Sequence, residues 1–451
     1  MSKETNSLMK KKESGIKFPL VLAAVIIILA IGAGGFMLFK DTEAPVISIG
    51  PDMKDVGKET QLIVTVEDPG SGLKSLDIIA IQGDKQVSLA TKTFPGGVMK
   101  TEEIIRINQD TIKEGDFTIA VTARDASFYP FGKAGQSKAE KSFTLDVTPP
   151  RIFVQSHTNN LNQGGSGLMV YSLSEIADKT GIKVGDRFFP AYLQPGAGQK
   201  NIYYCMFAIP WDTPPSAFKP FIVASDKAGN SAKRSFNYHA NARPFRHDKI
   251  GLSDNFMERT IPEFQGLVPD EGSLIDQYLY INNTIRKMDR AQLIKFSRKT
   301  EPVMLWDGTF KRLPNAANRA RFADARDYMY QGKKVDFQTH LGLDLASLKH
   351  APVPAGNDGK IVHANFLGIY GNMVVIDHGL GLQSLYAHLS SINVAPGDMV
   401  TKGQVIGNTG STGLAGGDHL HYGVTVGGIP VQPIEWWDGT WIKNNITSKT
   451  E

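Results

Sequence analysis

Thr339-His340-Leu341-Gly342-Leu343-Asp344-Leu345 alternates apolar and polar side chains. A period of two is the signature of a β-strand, and it sets His340, Gly342 and Asp344 on one face. Glycine between the two polar residues leaves space where a larger side chain would fill the site. A second stretch, His419-Leu420-His421-Tyr422-Gly423-Val424, repeats the pattern: both histidines share a face, and Gly423 follows on it. Two imidazoles and one carboxylate suit a zinc ion with one coordination position open, which is the catalytic rather than the structural arrangement.

Working outward, His340 and Asp344 supply an N and an O donor, and one histidine of the 419/421 pair supplies the third. Spacing does not say which. His388, in Leu385-Tyr386-Ala387-His388-Leu389, is a further candidate, because the alternation points it away from its apolar neighbours. The chain has no His-Glu-x-x-His segment. A histidine, whose ordinary pKa lies near neutrality, must therefore handle protons.

The 451 residues suggest roughly three domains at about 150 residues each. A net charge of +4 is too small for this length to argue for nucleic acid. Forty-five glycines and 24 prolines among short Val, Ile, Thr and Phe runs favour a mainly β chain rich in turns. Cys205 is the single cysteine, which excludes an intrachain disulfide framework. It sits in the apolar run Ile202-Tyr203-Tyr204-Cys205-Met206-Phe207 and reads as core.

Residues 18–39 carry no charge, and about 22 residues make roughly 33 Å of helix, enough for a bilayer core. Lys3, Lys10, Lys11, Lys12 and Lys17 precede the run, and Asp41 and Glu43 follow it. This bias predicts a cytoplasmic tail over 1–17, a transmembrane helix over 18–39 anchored in the inner membrane, and a periplasmic or otherwise extracytoplasmic position for the rest. The bulky end Gly35-Phe36-Met37-Leu38-Phe39 favours an uncleaved anchor over a signal peptide.

Strand-like runs separated by Gly and Pro fill 43–147, and Thr148-Pro149-Pro150 opens a second β module over 148–240. Val121-Thr122-Ala123-Arg124-Asp125 and Val223-Ala224-Ser225-Asp226 each precede a strand carrying Phe. This repeat resembles immunoglobulin-like modules of bacterial surface proteins and predicts two β-sandwiches. Asp125 and Asp226 read as turn caps in preference to calcium ligands. Over 241–301 a helical spacer is expected, with Leu274, Ile275, Tyr278, Leu279, Ile281, Ile285 and Met288 on its apolar face. From 302 the chain is β-rich again, with Met304-Leu305-Trp306 among the expected strands. Turns such as Pro396-Gly397-Asp398 recur at the cadence of a compact barrel or sandwich.

Residues 302–442 resemble the catalytic domain of the lysostaphin-type (LytM) zinc endopeptidases, which cut peptide bridges in peptidoglycan. The matching stretches are His340-Leu341-Gly342-Leu343-Asp344, Leu385-Tyr386-Ala387-His388-Leu389, Val405-Ile406-Gly407-Asn408-Thr409-Gly410-Ser411-Thr412-Gly413 and His419-Leu420-His421-Tyr422. The resemblance implies an antiparallel β groove, one zinc ion per chain held by His340, Asp344 and His421, and His388 and His419 as catalytic histidines beside the attacking water. It also sets Asn372, in Gly371-Asn372-Met373, where the family has a groove residue that contacts substrate. Two positions differ from the family pattern: Asp418 stands where Pro is usual before the His-x-His, and Gly423 where Glu is common. The implied function is a zinc-dependent endopeptidase acting on peptidoglycan cross-links. The alternative is a catalytically silent scaffold of the same fold that binds the wall or activates an amidase. No nucleic acid partner is expected, and partners among cell-division or cell-shape proteins are not identifiable from the sequence. His157, His239, His247, His350, His363 and His378 have no ligand-spaced partner and read as structural.

Overall fold

The computed structural model describes residues 18–41, 43–127, 135–195 and 201–450. The basic segment 1–17 lies outside the described residues. The apolar run 18–39 falls on one α-helix, Phe18–Lys40, whose side chains are exposed over 21–34. Among the described residues no helix is long and apolar enough to cross a membrane, so the crossing expected for 18–39 rests on the sequence pattern.

The chain forms two compact units, one running to 148 with 227–230 added, the other comprising 149–226 and 231–451. In the first, a three-stranded sheet (Val46–Gly50, Gln61–Glu67, Lys100–Arg106) and a five-stranded sheet line one core. Period-two alternation builds it: Leu62, Val64 and Val66 from one sheet meet Leu76, Ile78, Ile119 and Val121 from the other, all fully buried or nearly so. This is a β-sandwich, and its immunoglobulin-like kinship comes from the sequence repeat alone.

In the second unit two four-stranded sheets, one centred on Ser166–Leu173 and Asn201–Ala208, the other on Lys179–Val184 and Phe221–Ser225, occupy the region read as a second module. They have no core of their own. One cluster of buried side chains runs from Ile152 and Phe207 through Trp306 to Val424 and Ile446. The buried Glu435 carboxylate adds a polar tie, accepting from Asn162 Nδ2 at 3.1 Å and from the Ser166 amide at 3.2 Å. Cys205 is fully buried in this core, and burial pushes its thiol up to about 12, which keeps it unreactive.

The spacer over 241–301 is not helical throughout, since His247–Gly251 is a strand running parallel to Asp324–Tyr330. The expected helix spans 274–297, with Ser273 and Asp276 capping its start reciprocally. Tyr278, Ile281 and Ile285 face inward as expected, but Met288 is 63% exposed. A π-helical turn at Ile281–Ile285 explains the difference. The wider turn rotates everything after it, swinging Met288 outward and burying Asp289.

The remaining chain is dominated by an eight-stranded sheet in the order Ala317–Ala320, Leu343–Ala346, Leu420–Val426, Leu382–Leu389, Asn372–Asp377, Gly359–Phe366, Met399–Val400, with Ile429–Val431 also paired to Leu420–Val426. Every pairing in it is antiparallel. Met304-Leu305-Trp306, expected as a strand, forms none. Leu305 donates one backbone bond to His378, and Trp306 instead packs edge-on against Trp436, so aromatic packing fixes this segment.

Candidate active site

The two halves of the opening motif belong to different sheets. His340 ends the strand Lys333–His340 and pairs with Asp324, whereas Asp344 lies in Leu343–Ala346 and pairs with His421. The single strand expected over 339–345 is therefore broken at Leu341-Gly342. Gly342 permits the close approach there: a Cβ on it would lie 2.6 Å from His421 Nε2 and 2.8 Å from the Tyr422 carbonyl oxygen.

The break brings the donors together. His340 Nε2 lies 2.9 Å from Asp344 Oδ1 and 3.0 Å from His421 Nδ1, and His421 Nδ1 lies 2.9 Å from the same Asp344 oxygen. All three residues are mostly buried, each side chain being 15% exposed or less. His340 Nδ1 faces the Arg321 carbonyl at 2.9 Å. A carbonyl only accepts, so the proton sits on Nδ1 and the Nε2 lone pair points at Asp344 and His421. Two imidazole nitrogens and an anionic oxygen facing one another at this distance are favourable only around a proton or a cation. The donor set of two nitrogens and one oxygen fits zinc. Of the histidine pair 419/421, tertiary packing selects His421 for this cluster, and His340, Asp344 and His421 are a group able to hold a metal ion.

His388 and His419 flank the cluster. Their ring centroids are 4.8 Å apart, and His388 lies 5.8 Å from the His421 ring. His388 does not follow from simple alternation. The pairing with Asn372–Asp377 slips beside it, and its φ is +64°, the left-handed region that a histidine rarely adopts. This bulge re-aims the ring, at the backbone cost usual for functional positions. His388 Nδ1 donates to the Thr412 carbonyl at 2.8 Å, and His419 Nδ1 to the Gly417 carbonyl at 2.7 Å. Both rings are thereby fixed through Nδ1, and His419 Nε2 lies 3.5 Å from Asp344 Oδ1.

Burial, followed by the neighbouring charges of His419 and His421, holds the His388 pKa well below the usual histidine value. For His419 burial acts downward, but the hydrogen bond and negative charge of Asp344 outweigh it and leave the pKa raised. Burial lowers His421 to about 4. Burial also pushes Asp344 upward, and the charge of His340 with hydrogen bonds from three imidazoles reverses this, leaving the carboxyl well below its ordinary value.

A cavity of about 460 Å³ opens over these residues. Its walls include Leu252, Phe256, Tyr278 and Tyr370, and its charged lining is Asp344 together with Arg259, Arg286 and Arg326. Arg326 lies 3.3 Å from Asp344 Oδ2. No local pattern in the sequence marked these arginines, which sit in segments remote from the motifs.

Asn372 is not brought into the cavity lining. Its side-chain amide donates to the Leu389 carbonyl at 3.1 Å, and its backbone amide to Thr412 Oγ1 at 3.0 Å, which steadies the strand end beside His388. The Gly-rich stretch 407–413 has a packing reason: a Cβ on Gly413 would meet the Gly371 amide at 2.4 Å, and one on Gly410 the Ser390 amide at 2.6 Å. The other histidines with described partners are engaged elsewhere. His378 bonds the Asp358 carbonyl and Ser384, His363 stacks on Phe296, His350 meets Ser390, and His247 pairs with Asp327.

An antiparallel β cleft thus carries a His-Asp-His group able to hold a metal ion, with two imidazoles beside it. Residues 338–433 match the model of peptidase family M23. Curated relatives match about 100 residues of the chain. DD-carboxypeptidase/endopeptidase Mpg of Neisseria meningitidis is 45% identical over 22% of this chain and 23% of its own length. Peptidoglycan DD-endopeptidase ShyA of Vibrio cholerae is 42% identical over 21% of this chain and 22% of its own. The chain thus spans less than a quarter of the length of each. Among solved structures, the catalytic domain of lysostaphin from Staphylococcus simulans is 28% identical over 29% of this chain and 98% of that one, with a TM-score of 0.25.

Proposed function

We propose that this chain is a zinc-dependent endopeptidase that hydrolyses peptide cross-links of peptidoglycan. One observation carries the reading: His340 Nε2, Asp344 Oδ1 and His421 Nδ1 converge within about 3 Å beside the imidazoles of His388 and His419. His340, Asp344 and His421 would hold the ion. Zinc bound there lowers the pKa of water and polarises an amide carbonyl.

The chain's own residues do the rest. His388 Nε2 accepts the proton of the attacking water, and the imidazole returns it to the leaving amine. His419, whose ring lies beside that of His388, would stabilise the developing oxyanion. Arg326 keeps Asp344 oriented. Arg259 and Arg286 give the cavity a positive lining with, among the described residues, no acid beyond Asp344, which suits peptides with free carboxylates near the scissile amide. Stem peptides joined through D-centres have that chemistry, in keeping with relatives named DD-endopeptidases.

The apolar run 18–39 would anchor the enzyme in the inner membrane with 1–17 in the cytoplasm. The sandwich over 43–147 and the following strands would then hold the peptidase in the periplasm, within reach of the wall. The test is digestion of purified sacculi by the zinc-loaded full chain, with products identified by mass spectrometry. Cross-linked dimers should become monomers, and His388→Ala should abolish this. Intact dimers after exposure to a zinc-loaded, folded protein would refute hydrolysis and leave the scaffold reading.

A further inference from the structure

A second cluster of ligand-type residues lies outside the peptidase region. Carboxylate oxygens of Asp41, Asp68 and Asp125 approach within 4.8 Å of one another. Asp68 directly follows the strand Gln61–Glu67, Asp125 ends Gly115–Asp125, and Asp41 directly follows the helix Phe18–Lys40. Asp68 is 1% exposed and Asp125 5% exposed.

Each buried carboxylate uses one oxygen in a turn and leaves the other unpaired. Asp68 Oδ1 accepts from the Gly70 and Gly72 amides at 2.9 and 3.2 Å, and Asp125 Oδ1 from the Ser127 amide and hydroxyl at 3.0 and 2.6 Å. Among the described residues, Asp68 Oδ2 and Asp125 Oδ2 are buried with no hydrogen-bond partner. An anionic oxygen taken from water without a partner is strongly unfavourable. Burial, then the negative charges of Asp41 and Asp125, push the Asp68 carboxyl upward, so its neighbours repel it.

Glycines hold the chain close around the group. A Cβ on Gly70 would sit 2.4 Å from both Asp41 oxygens, and one on Gly135 would sit 2.2 Å from Asp125 Oδ1. The Ser71 amide donates to Asp41 Oδ2 at 2.6 Å, drawing the segment after the helix onto the loop that follows Asp68.

We infer that Asp41, Asp68 and Asp125 form a calcium site that fastens the chain after the N-terminal helix to the first sandwich. The donor set is all hard oxygen and carries three negative charges. That favours Ca²⁺ over zinc, which prefers nitrogen and sulfur, and over Mg²⁺, which holds its waters and demands a strict octahedron. Affinity in the range of extracellular modules, on the order of 10⁻⁴–10⁻³ M, is expected.

The experiment is equilibrium dialysis of the chelator-treated full chain against ⁴⁵Ca²⁺, with zinc supplied at saturation. Wild type should bind Ca²⁺, and Asp125→Asn should weaken that binding at least ten-fold. Asp41→Asn is the second variant, because Asp41 is only half-buried and its loss leaves the sandwich core intact; it should weaken binding while leaving the circular dichroism spectrum unchanged. Wild-type failure to bind millimolar Ca²⁺ would overturn the inference. So would equal binding by a folded Asp41→Asn variant.

Discussion

Asp344 and His421 sit directly opposite each other on adjacent antiparallel strands, and the same register brings Asp344 Oδ1 to 2.9 Å from His421 Nδ1. Cross-strand pairing thus sets the candidate metal centre. His421→Ala should empty it: zinc measured by atomic absorption should fall from one per chain to near zero, and cross-link hydrolysis should drop below detection. Unchanged zinc in the purified variant would remove His421 from the ligand set.

His388 touches no ligand atom through a hydrogen bond, and its Nδ1 is held by the Thr412 carbonyl. His388→Ala should therefore keep its zinc while kcat falls roughly a hundred- to ten-thousand-fold, the range for loss of a positioned acid-base group. Parallel measurement of metal content and turnover separates this role from that of His421.

Gly342→Ala adds one methyl group in contact with the His421 ring and the Tyr422 carbonyl, the latter being backbone that cannot yield. The imidazole must shift. Zinc affinity, read by competition with a chelator, should fall by about ten-fold or more, equivalent to roughly 1.4 kcal/mol. Affinity equal to wild type would show that the cleft has slack at this point.

Arg286 lines the cavity and is braced by Asn282, to whose carbonyl its Nε donates at 3.0 Å. Replacing it with Ala should raise KM for a carboxylate-bearing cross-linked peptide about ten-fold, in line with a charge-assisted hydrogen bond of about 1.5–3 kcal/mol. Substrate with that carboxylate amidated should be cleaved with equal efficiency by wild type and variant.

Burial raises the Glu435 carboxyl from its ordinary 4.5 to about 7. The folded state therefore binds its proton more tightly than the unfolded chain. Stability is greatest below the unfolded value and falls as pH rises from about 4.5 through 7, by on the order of 3 kcal/mol. Denaturant titrations at pH 5 and 8 should show this loss, and Glu435→Gln should flatten it. A slope that persists in Glu435→Gln assigns the pH dependence to another group.

Much of the site was legible because its parts are locally patterned. His340 and Asp344 carry period-two spacing, Gly342 marks a close approach, and His388 and His421 lie in strand-like runs that the structure shows as Leu382–Leu389 and Leu420–Val426, with His419 one residue ahead of the second strand. The same pattern misled where backbone irregularities intervene. The bend at Leu341-Gly342 split one expected strand into two, and the π turn at Ile281–Ile285 rotated Met288 out and Asp289 in. Neither leaves a periodic trace, because each is a single break in a repeat.

What the sequence by itself determined is the donor chemistry and the β character: alternation decides which side chains share a face, and that is a property of neighbouring residues. Spacing left the third donor open between His419 and His421 and the resemblance pointed to His421; only the tertiary structure showed His421 Nδ1 meeting His340 and Asp344, Arg259, Arg286 and Arg326 lining the cavity, and Asp41 meeting Asp68 and Asp125. These relations depend on strand order and register between segments distant in the chain, and pairing of that kind is settled by burial of a shared core, which no local spacing encodes.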